Sequence, residues 1–294
     1  MALALTVAGC ASQQALTATP AHAPNGGVPR YDHVVLVVEE NHGYDQIIGS
    51  GTGAPYINTL AAGGALFTNS FAIGHPSEPN YLDLFSGTDH GITGDQCPVP
   101  IDAPNLAAQT LAAGHTWDSY SEDLPSAGST ACSSGAYASR HAPWVNFQLA
   151  PSTSGNHLPP TSNLPFSSFP GSADFASLPT VSWVIPNTQN DMHDGSDTRG
   201  DTWLRSNMDA YAQWAKTHNS LLIVTWDEDD SGSDNQIATI FYGANVKAGQ
   251  YHEHIDHYSV LRTIEDMYGL SYAGSAAGAA SITDVWSTSA TGRP

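Results

Sequence analysis

Three apolar runs in the chain lack the polar alternation of a strand that is exposed on one face. They are "HVVLVV" (33–38), "TVSWVI" (180–185) and "LLIVTW" (221–226). Continuous runs rich in β-branched residues are typical of strands that are buried on both faces, as in a parallel sheet. A fourth run, "IATIFYG" (237–243), predicts one further strand.

Amphipathic stretches between and after these runs predict helices over 105–114, 201–218 and 257–270. The second helix places Leu204, Met208, Tyr211 and Ala215 on one face, and Asp201 is its predicted N-cap. Strands that alternate with helices predict an α/β fold with a mainly parallel central sheet. We expect a single domain over residues 30–294, in which the loop-rich residues 88–175 form a cap over one end of the sheet.

The first residues indicate export. "MALALTVAGCASQQ" has an apolar run that ends in small residues and Cys10, which favours an export signal. The run also resembles a bacterial lipobox, with Cys10 as the lipidated residue, although no positive charge precedes it. Residues 11–29 are small, polar and rich in Pro and Gly, as in a tether. We therefore expect a periplasmic, lipid-anchored or secreted protein, and in the lipid-anchored alternative Cys10 tethers it to a membrane.

Two of the three cysteines remain if Cys10 is lipidated. An oxidising compartment favours a disulfide between Cys97 and Cys132. The alternative is two free, buried thiols.

Charge excludes one class of partner. The 294 residues include only 8 Lys and Arg against 28 Asp and Glu, for a formal net charge of −20. Nucleic-acid binding needs clustered basic residues to contact the phosphate backbone. We therefore expect no nucleic-acid partner.

Acidic and amide side chains follow each of the three buried runs. Residues 39–42 read Glu-Glu-Asn-His, residues 187–194 include Asn, Asp and His, and residues 227–230 read Asp-Glu-Asp-Asp. Parallel strands place their carboxyl ends at one edge, where α/β sheets bind ligands. Two carboxylates 4 Å apart repel by about 4 kcal/mol at an effective dielectric of 20, and a divalent cation removes that cost. The alternative for each cluster is a solvated loop.

"HPSEPNY" (75–81) precedes a predicted helix, with Pro79 in its first turn. Ser77 therefore lies at a helix N-terminus, which favours an anion such as phosphate. A nearby cation would make the Ser77 alkoxide available as a nucleophile, and Asn80 could donate a hydrogen bond to a phosphoryl oxygen. The alternative is that Ser77 is a cap or turn residue.

Five motifs resemble those of one family in the same order: "VVEENHGYDQIIG", "HPSEPNYLDLFSG", "NDMHD", "TWDED" and "HYSVLRTIEDMYGL". They are similar to the bacterial and fungal phosphoesterase family of acid phosphatases and phospholipases C, within the alkaline-phosphatase-like superfamily. The resemblance runs from about residue 33 to 270. It implies an α/β sandwich, with helices on both sides of the sheet, and phosphoester chemistry.

The resemblance also implies roles for individual residues. The implied metal ligands are Glu40, Asn41, Asp227 and Glu228. The nucleophile is Ser77, the other expected catalytic residues are His193 and His257, and Asn80 and Asp194 are expected to contact the phosphoryl group. One or two divalent cations of unknown identity are expected. Relatives often have Gly or His after the first two acids of the 227–230 run, so which acidic pair binds stays open.

"YASRHAPW" contains a further candidate for substrate binding. Arg140 and His141, with Glu122, are expected to line the cap and contact substrate. An Arg in a chain poor in Lys is suited to clamp an anion.

The sequence therefore predicts an exported, metal-dependent acid phosphatase that acts on small phosphomonoesters through a phosphoseryl intermediate. His193 or a water would protonate the leaving group. One alternative is a phospholipase C or phosphodiesterase on the same scaffold. A Ser-His-Asp carboxylester hydrolase lacks its GxSxG motif here, and a non-catalytic metal- or anion-binding lipoprotein remains a third alternative.

Overall fold

The computed structural model describes residues 27–49, 51–232 and 234–287. The predicted export signal, the lipobox with Cys10 and most of the tether lie outside these residues. Within them, no helix has the length and apolar character to cross a membrane.

The described residues form strands and helices in alternation. The strands are β1 (His33–Glu39), β2 (Ala65–Phe71), β3 (Trp117–Ser121), β4 (Ser133–Ser134), β5 (Tyr137–Ala138), β6 (Asn163–Pro165), β7 (Val181–Ile185), β8 (Ser220–Trp226), β9 (Gln236–Gly243), β10 (Gly249–Tyr251) and β11 (Ile255–Asp256). The α-helices are α1 (Tyr44–Ile47), α2 (Pro55–Gly63), α3 (Ser77–Ser86), α4 (Leu106–Ala112), α5 (Trp144–Gln148), α6 (Asp197–Ala215) and α7 (His257–Tyr268).

The central sheet has the order β10-β2-β9-β8-β1-β7-β3-β6, and β11 also pairs with β2. The three predicted buried strands are its neighbouring members β8, β1 and β7, which pair in parallel. Among the described strands of this sheet, β9 alone runs antiparallel to its neighbours β8 and β2. The prediction of a mainly parallel sheet is confirmed.

Alternate residues of β1 face two different cores. Val34 and Leu36 pack with α3, α4 and α7 on one side of the sheet, whereas Val35 and Val37 pack with α2 and α6 on the other. Helices cover both faces, so every position from Val34 to Glu39 is buried. This burial is the physical reason why the β1 sequence is apolar without interruption.

The start of α6 differs from the prediction. The N-cap is Ser196, whose hydroxyl accepts a hydrogen bond from the Arg199 N–H, and the helix begins at Asp197. Asp201 is instead buried inside the helix, where its carboxylate accepts a 2.8 Å hydrogen bond from the Ile57 N–H. Asp201 therefore joins α6 to α2 and does not cap a helix.

Residues 88–175 are a cap only in part. Strands β3 and β6 lie in this region but extend the central sheet, so for these strands the prediction of a cap is wrong. The remainder includes the β4–β5 hairpin and the predicted disulfide, which joins Cys97 to Cys132 across a Cα–Cα distance of 4.8 Å. The hairpin leads directly to Arg140 and His141, which lie at the carboxyl edge of the sheet.

Candidate active site

Ser77 is the first residue of α3, and its hydroxyl faces acids from two strand ends. Its Oγ lies 3.0 Å from Glu40 Oε2, just after β1, and 3.3 Å from Glu228 Oε1, just after β8. All three side chains are nearly inaccessible to solvent. The structure therefore brings together residues that are 37 and 151 positions apart in the chain.

Three buried oxygen atoms beside Ser77 have no hydrogen-bond partner. They are Glu40 Oε1, Asn41 Oδ1 and Asp227 Oδ2. Asn41 has a φ of 50°, in the left-handed region that Asn tolerates better than most residues, and its N–H donates a 3.2 Å hydrogen bond to Asp227 Oδ1. Unpartnered carboxylate and amide oxygens fit a hard divalent cation, so Glu40, Asn41 and Asp227 are suited to one.

The electrostatics of the cluster point the same way. Burial, followed by the nearby Asp227 and Asp191, raises the pKa of Glu40 well above its ordinary value. Burial and then Glu228 raise the pKa of Asp227 in the same manner. Without a cation these carboxyl groups favour protonation, because two adjacent buried charges are costly.

The acidic run after β8 divides into two pairs. Glu228 faces Ser77, and its Oε2 accepts a 2.8 Å hydrogen bond from His75 Nδ1. Asp229 accepts hydrogen bonds from the Ser231 and Asn235 backbone N–H groups, which hold the following loop. Asp230 is exposed and accepts from Gln46. Of the four acids, Asp227 and Glu228 are therefore the two that belong to the cluster around Ser77.

Asn80 holds the loop that precedes Ser77. Its Oδ1 accepts hydrogen bonds from the N–H groups of Ile73 and Gly74. Its two amide hydrogens face three acceptors, the Gly74 carbonyl at 2.8 Å, the Pro76 carbonyl at 3.2 Å and Glu228 Oε2 at 3.2 Å. In this arrangement Asn80 supports the loop, and the expected phosphoryl contact finds no free N–H.

His141 lies between two buried carboxylates. Its Nδ1 donates a 3.1 Å hydrogen bond to Asp191 Oδ2, so its Nε2 carries a lone pair that faces Glu40 Oε1 at 3.1 Å. Two acceptors at this distance require a proton or a cation between them. Burial lowers the pKa of His141 well below its ordinary value, and its ring stacks on Tyr81 with centroids 5.3 Å apart.

His193 is oriented in a similar way. Its Nδ1 donates a 2.9 Å hydrogen bond to Asp194 Oδ1, and this bond lowers the pKa of Asp194. The Arg140 guanidinium donates to His193 Nε2 at 3.2 Å. Ligand atoms of Glu40, His141 and His193 lie within 4.8 Å of one another, so this group could hold a cation. With Arg140 beside it, the same group could bind an anion.

His257 does not join this group. It is fully buried, and its Nε2 donates a 2.7 Å hydrogen bond to the Asp227 carbonyl, while burial lowers the pKa of its ring. Contacts between His257 and Ser77 are absent from the described part of the chain. The structure therefore gives His257 a supporting role below the acidic loop, in contrast to the expected catalytic one.

Sequence reasoning also misjudged or missed supporting residues. Glu122, expected to contact substrate, instead accepts hydrogen bonds from the Asn187 N–H and the Asn190 side chain and so holds the loop after β7. The role of Asp191 as the partner of His141 was missed, as was the contact of His75 with Glu228. No local pattern distinguishes these residues from loop residues, because each of these contacts spans at least 50 positions.

The fold and this site define a class of protein. A model of the Phosphoesterase family matches residues 50–271, and the chain belongs to this family. It is therefore a hydrolase that acts on phosphoester bonds.

Individual relatives carry phosphatase names. The chain is 51% identical over 289 residues to the phosphatidylinositol-3-phosphatase of Mycobacterium tuberculosis, across 96% of this chain and 94% of that protein. It is 28% identical to the phosphate-repressible acid phosphatase of Penicillium chrysogenum, across 74% of this chain but 55% of that protein.

Solved structures confirm the fold. A protein in the alkaline phosphatase superfamily from Vibrio parahaemolyticus superposes with a TM-score of 0.59 at 12% identity, over 84% of this chain and 70% of that one. Murine ectonucleotide pyrophosphatase/phosphodiesterase 5 superposes with a TM-score of 0.56 at 12% identity, over 88% of this chain and 100% of that one.

Proposed function

We propose that this protein is a metal-dependent phosphomonoesterase of the acid phosphatase type, with Ser77 as its nucleophile. The observation that carries the proposal is the position of Ser77 Oγ between Glu40 and Glu228 at the N-terminus of α3. A hydroxyl in that position has carboxylates within reach of its proton and backbone N–H groups at the helix end to favour a phosphate.

In the proposal, a divalent cation is held by Glu40, Asn41, Asp227 and Glu228. The unpartnered oxygens of the first three support this set. When bound, such a cation offsets the repulsion between the carboxylates and favours the Ser77 alkoxide. Because Glu40, His141 and His193 could hold a second cation, the protein could bind one or two ions. A metal count on the purified protein distinguishes these two cases.

The chemistry of this chain's residues follows in two steps. The Ser77 hydroxyl gives its proton to Glu40 or Glu228, and Oγ attacks phosphorus in line. The Oγ–P bond forms as the bond to the leaving oxygen breaks, which yields phosphoserine. Water then attacks phosphorus and gives a proton to His193, which lost its own to the leaving oxygen. The Oγ–P bond breaks, Oγ takes its proton back from Glu40 or Glu228, and inorganic phosphate leaves.

Arg140 and His193 are proposed to bind the phosphoryl oxygens, whereas both ring nitrogens of His141 are directed at Asp191 and Glu40. Arg140 is the cation of this group, and guanidinium is well matched to phosphate geometry. When Arg140 leaves His193 Nε2 to bind the phosphoryl oxygens, His193, with Nδ1 held by Asp194, is proposed to give an Nε2 proton to the leaving oxygen as a general acid.

The names of the relatives favour monoesters. Phosphatidylinositol-3-phosphatase and acid phosphatase both denote removal of a terminal phosphate. The 51% identity to the first extends the proposed substrates to phosphoinositides with a monoester phosphate. Phosphodiester hydrolysis is the second candidate, because a phosphodiesterase shares the fold. A non-catalytic binding role has less support, because the chain belongs to an enzyme family.

Export is also part of the proposal. A disulfide between Cys97 and Cys132 is typical of proteins in oxidising compartments. Mass spectrometry of the protein purified from membranes would detect lipidation of Cys10.

The test replaces Ser77 with Ala. We expect Ser77→Ala to lower turnover of p-nitrophenyl phosphate by at least about 10³-fold, because the atom that attacks phosphorus is removed. The control is Ser86→Ala, a buried serine at the other end of α3 whose hydroxyl donates to the Leu82 carbonyl. Chelator should abolish activity in the parent protein, and a divalent cation should restore it.

Substrate class is measured on the same samples. p-Nitrophenyl phosphate and phosphatidylinositol 3-phosphate are compared with bis-p-nitrophenyl phosphate, and we expect the monoesters to react faster. Substantial turnover by a correctly folded Ser77→Ala protein would rule out the serine mechanism, and a preference for the diester would favour the second candidate.

A further inference from the structure

Asp95 connects the nucleophile helix to the proposed phosphate clamp. Its Oδ1 accepts a 3.0 Å hydrogen bond from the backbone N–H of Glu78, which is the residue directly after Ser77. Its Oδ2 lies 3.5 Å from the Nε of Arg140. One carboxylate therefore contacts both the segment that carries the nucleophile and the Arg expected to bind phosphate.

The backbone around Asp95 is held on α3 by a reciprocal contact. Glu78 Oε2 accepts a 2.7 Å hydrogen bond from the Gln96 N–H, and Glu78 Oε1 lies 3.4 Å from Asn146 Nδ2. Glu78 is only 1% exposed. Asp95 binds the backbone of Glu78, and Glu78 binds the backbone next to Asp95, so residues 95–96 have a defined position relative to Ser77.

The disulfide extends this connection to Arg140 itself. Cys97 is two residues after Asp95 and is bonded to Cys132. The Cys132 carbonyl accepts a 3.0 Å hydrogen bond from the N–H of Ser139, which precedes Arg140. A covalent bond and an ion pair thus both join the segment fixed on α3 to residues 132–140, which include the β4–β5 hairpin and Arg140.

The Arg140 side chain needs such support. Its polar contacts in the described residues are with His193 and Asp95, and the side chain is 27% exposed. A long Arg side chain loses rotamer freedom when it is held in one conformation. Asp95 directs the guanidinium before substrate arrives, which lowers the entropy lost on binding.

We infer that Asp95 is a positioning residue for Arg140 and that the Cys97–Cys132 disulfide belongs to the same device. This inference rests on the proposed function of Arg140 as a phosphate clamp. It assigns Asp95 a role in phosphate affinity, separate from the attack by Ser77.

The experiment measures KM and kcat for p-nitrophenyl phosphate and the inhibition constant of inorganic phosphate. We expect Asp95→Asn, which keeps an acceptor for the Glu78 N–H, to raise KM and the inhibition constant about 10-fold while kcat changes little, as for a loss of uniform binding. Arg140→Ala should give an equal or larger rise. The double variant should resemble Arg140→Ala alone, because Asp95 acts through Arg140.

Asp102→Asn is the matched control. It makes the same change of charge in the same region, but Asp102 is exposed and accepts hydrogen bonds from Ser154 and Asn156. We expect its kinetic constants to equal those of the parent protein. A second arm replaces both Cys97 and Cys132 with Ser, with circular dichroism to verify folding, and should raise the phosphate inhibition constant in the same direction.

The outcomes distinguish a failure of this inference from a failure of the proposed phosphate binding by Arg140. If Arg140→Ala leaves both constants unchanged, the clamp itself is refuted and the inference with it. If Arg140→Ala weakens binding but Asp95→Asn does not, the inference alone fails. Tighter phosphate binding in Asp95→Asn would also overturn it, because Asp95 would then act as a simple repulsive charge. Additive effects in the double variant would overturn it as well, because Asp95 would then act independently of Arg140.

Discussion

At the scale of the residue, the four acids after β8 show that neighbours in sequence can have different environments. Asp227 and Glu228 are buried at the edge of the sheet and face Ser77 or its partners. Asp229 binds backbone N–H groups of its own loop, and Asp230 lies at the surface against Gln46. All four residues are acidic, so the direction in which each side chain points decides its role.

This difference predicts unequal effects of two similar substitutions. Glu228→Gln should weaken divalent-cation binding by at least about 10-fold, because one charged ligand is lost. Asp230→Asn makes the same change two residues away and should leave affinity unchanged. Calorimetric titration of the chelator-treated protein with Mg²⁺, Ca²⁺ and Mn²⁺ checks both, and equal losses in the two variants would place the metal elsewhere.

At the scale of the element, α6 packs closely on the loop that carries the site histidine. A Cβ at Gly200 would lie 2.5 Å from Met192 Cγ and 3.0 Å from the Asn190 carbonyl. Met192 is buried between Asp191 and His193 and has a φ of 83°, a strained conformation for a residue of its size. The absence of a side chain at Gly200 therefore allows helix and loop to approach.

Gly200→Ala tests this approach. Helix propensity alone would stabilise the variant by about 1 kcal/mol, but we expect overpacking to lower the free energy of unfolding by about 1–3 kcal/mol and to reduce kcat/KM through displacement of His193. The control is Thr202→Ala on the exposed face of α6, which should change stability by less than about 0.5 kcal/mol. Denaturant unfolding and kinetics measure both variants. A Gly200→Ala protein that is more stable and fully active would show that the close packing is unimportant.

At the scale of the whole molecule, carboxyl groups buried without a cation make stability depend on pH. Burial raises the pKa of Asp191 and of Glu265 to about 8. A carboxyl with a raised folded-state pKa keeps a proton that the unfolded chain releases, so its contribution is lost as pH rises from the unfolded value to the folded one. The lowered pKa values of His141 and His257 act in the opposite direction, but only below about pH 6.5.

The metal-free protein should therefore lose stability between about pH 6.5 and 8. Glu265 lies away from the metal-binding cluster, and its Oε1 accepts a hydrogen bond from the Ala273 N–H while Oε2 is buried without a partner. Glu265→Gln should reduce the slope by up to about 1.4 kcal/mol per pH unit, the value for one proton. Urea unfolding at several pH values in chelator measures the slope. Stability that stays constant or increases over this range in the parent protein would contradict the expectation.

Much of the fold was predictable because burial leaves a local pattern. Uninterrupted apolar runs located β1, β7 and β8, since strands between two layers of helices have no solvent-facing positions. The strand β3, "WDSYS", was not predicted, because Ser119 and Ser121 are buried there without an apolar signature, and Ser119 instead donates a hydrogen bond to the Ser162 carbonyl.

The sequence by itself determined that acids follow the central strands and that Ser77 begins a helix, because both follow from the order of residues along one segment. Only the tertiary structure decided that Ser77 faces Glu40 and Glu228, that His141 lies between two carboxylates, and that His257 supports a backbone carbonyl. These contacts join residues between 30 and 151 positions apart. Their geometry depends on how the layers pack, which no local periodicity encodes.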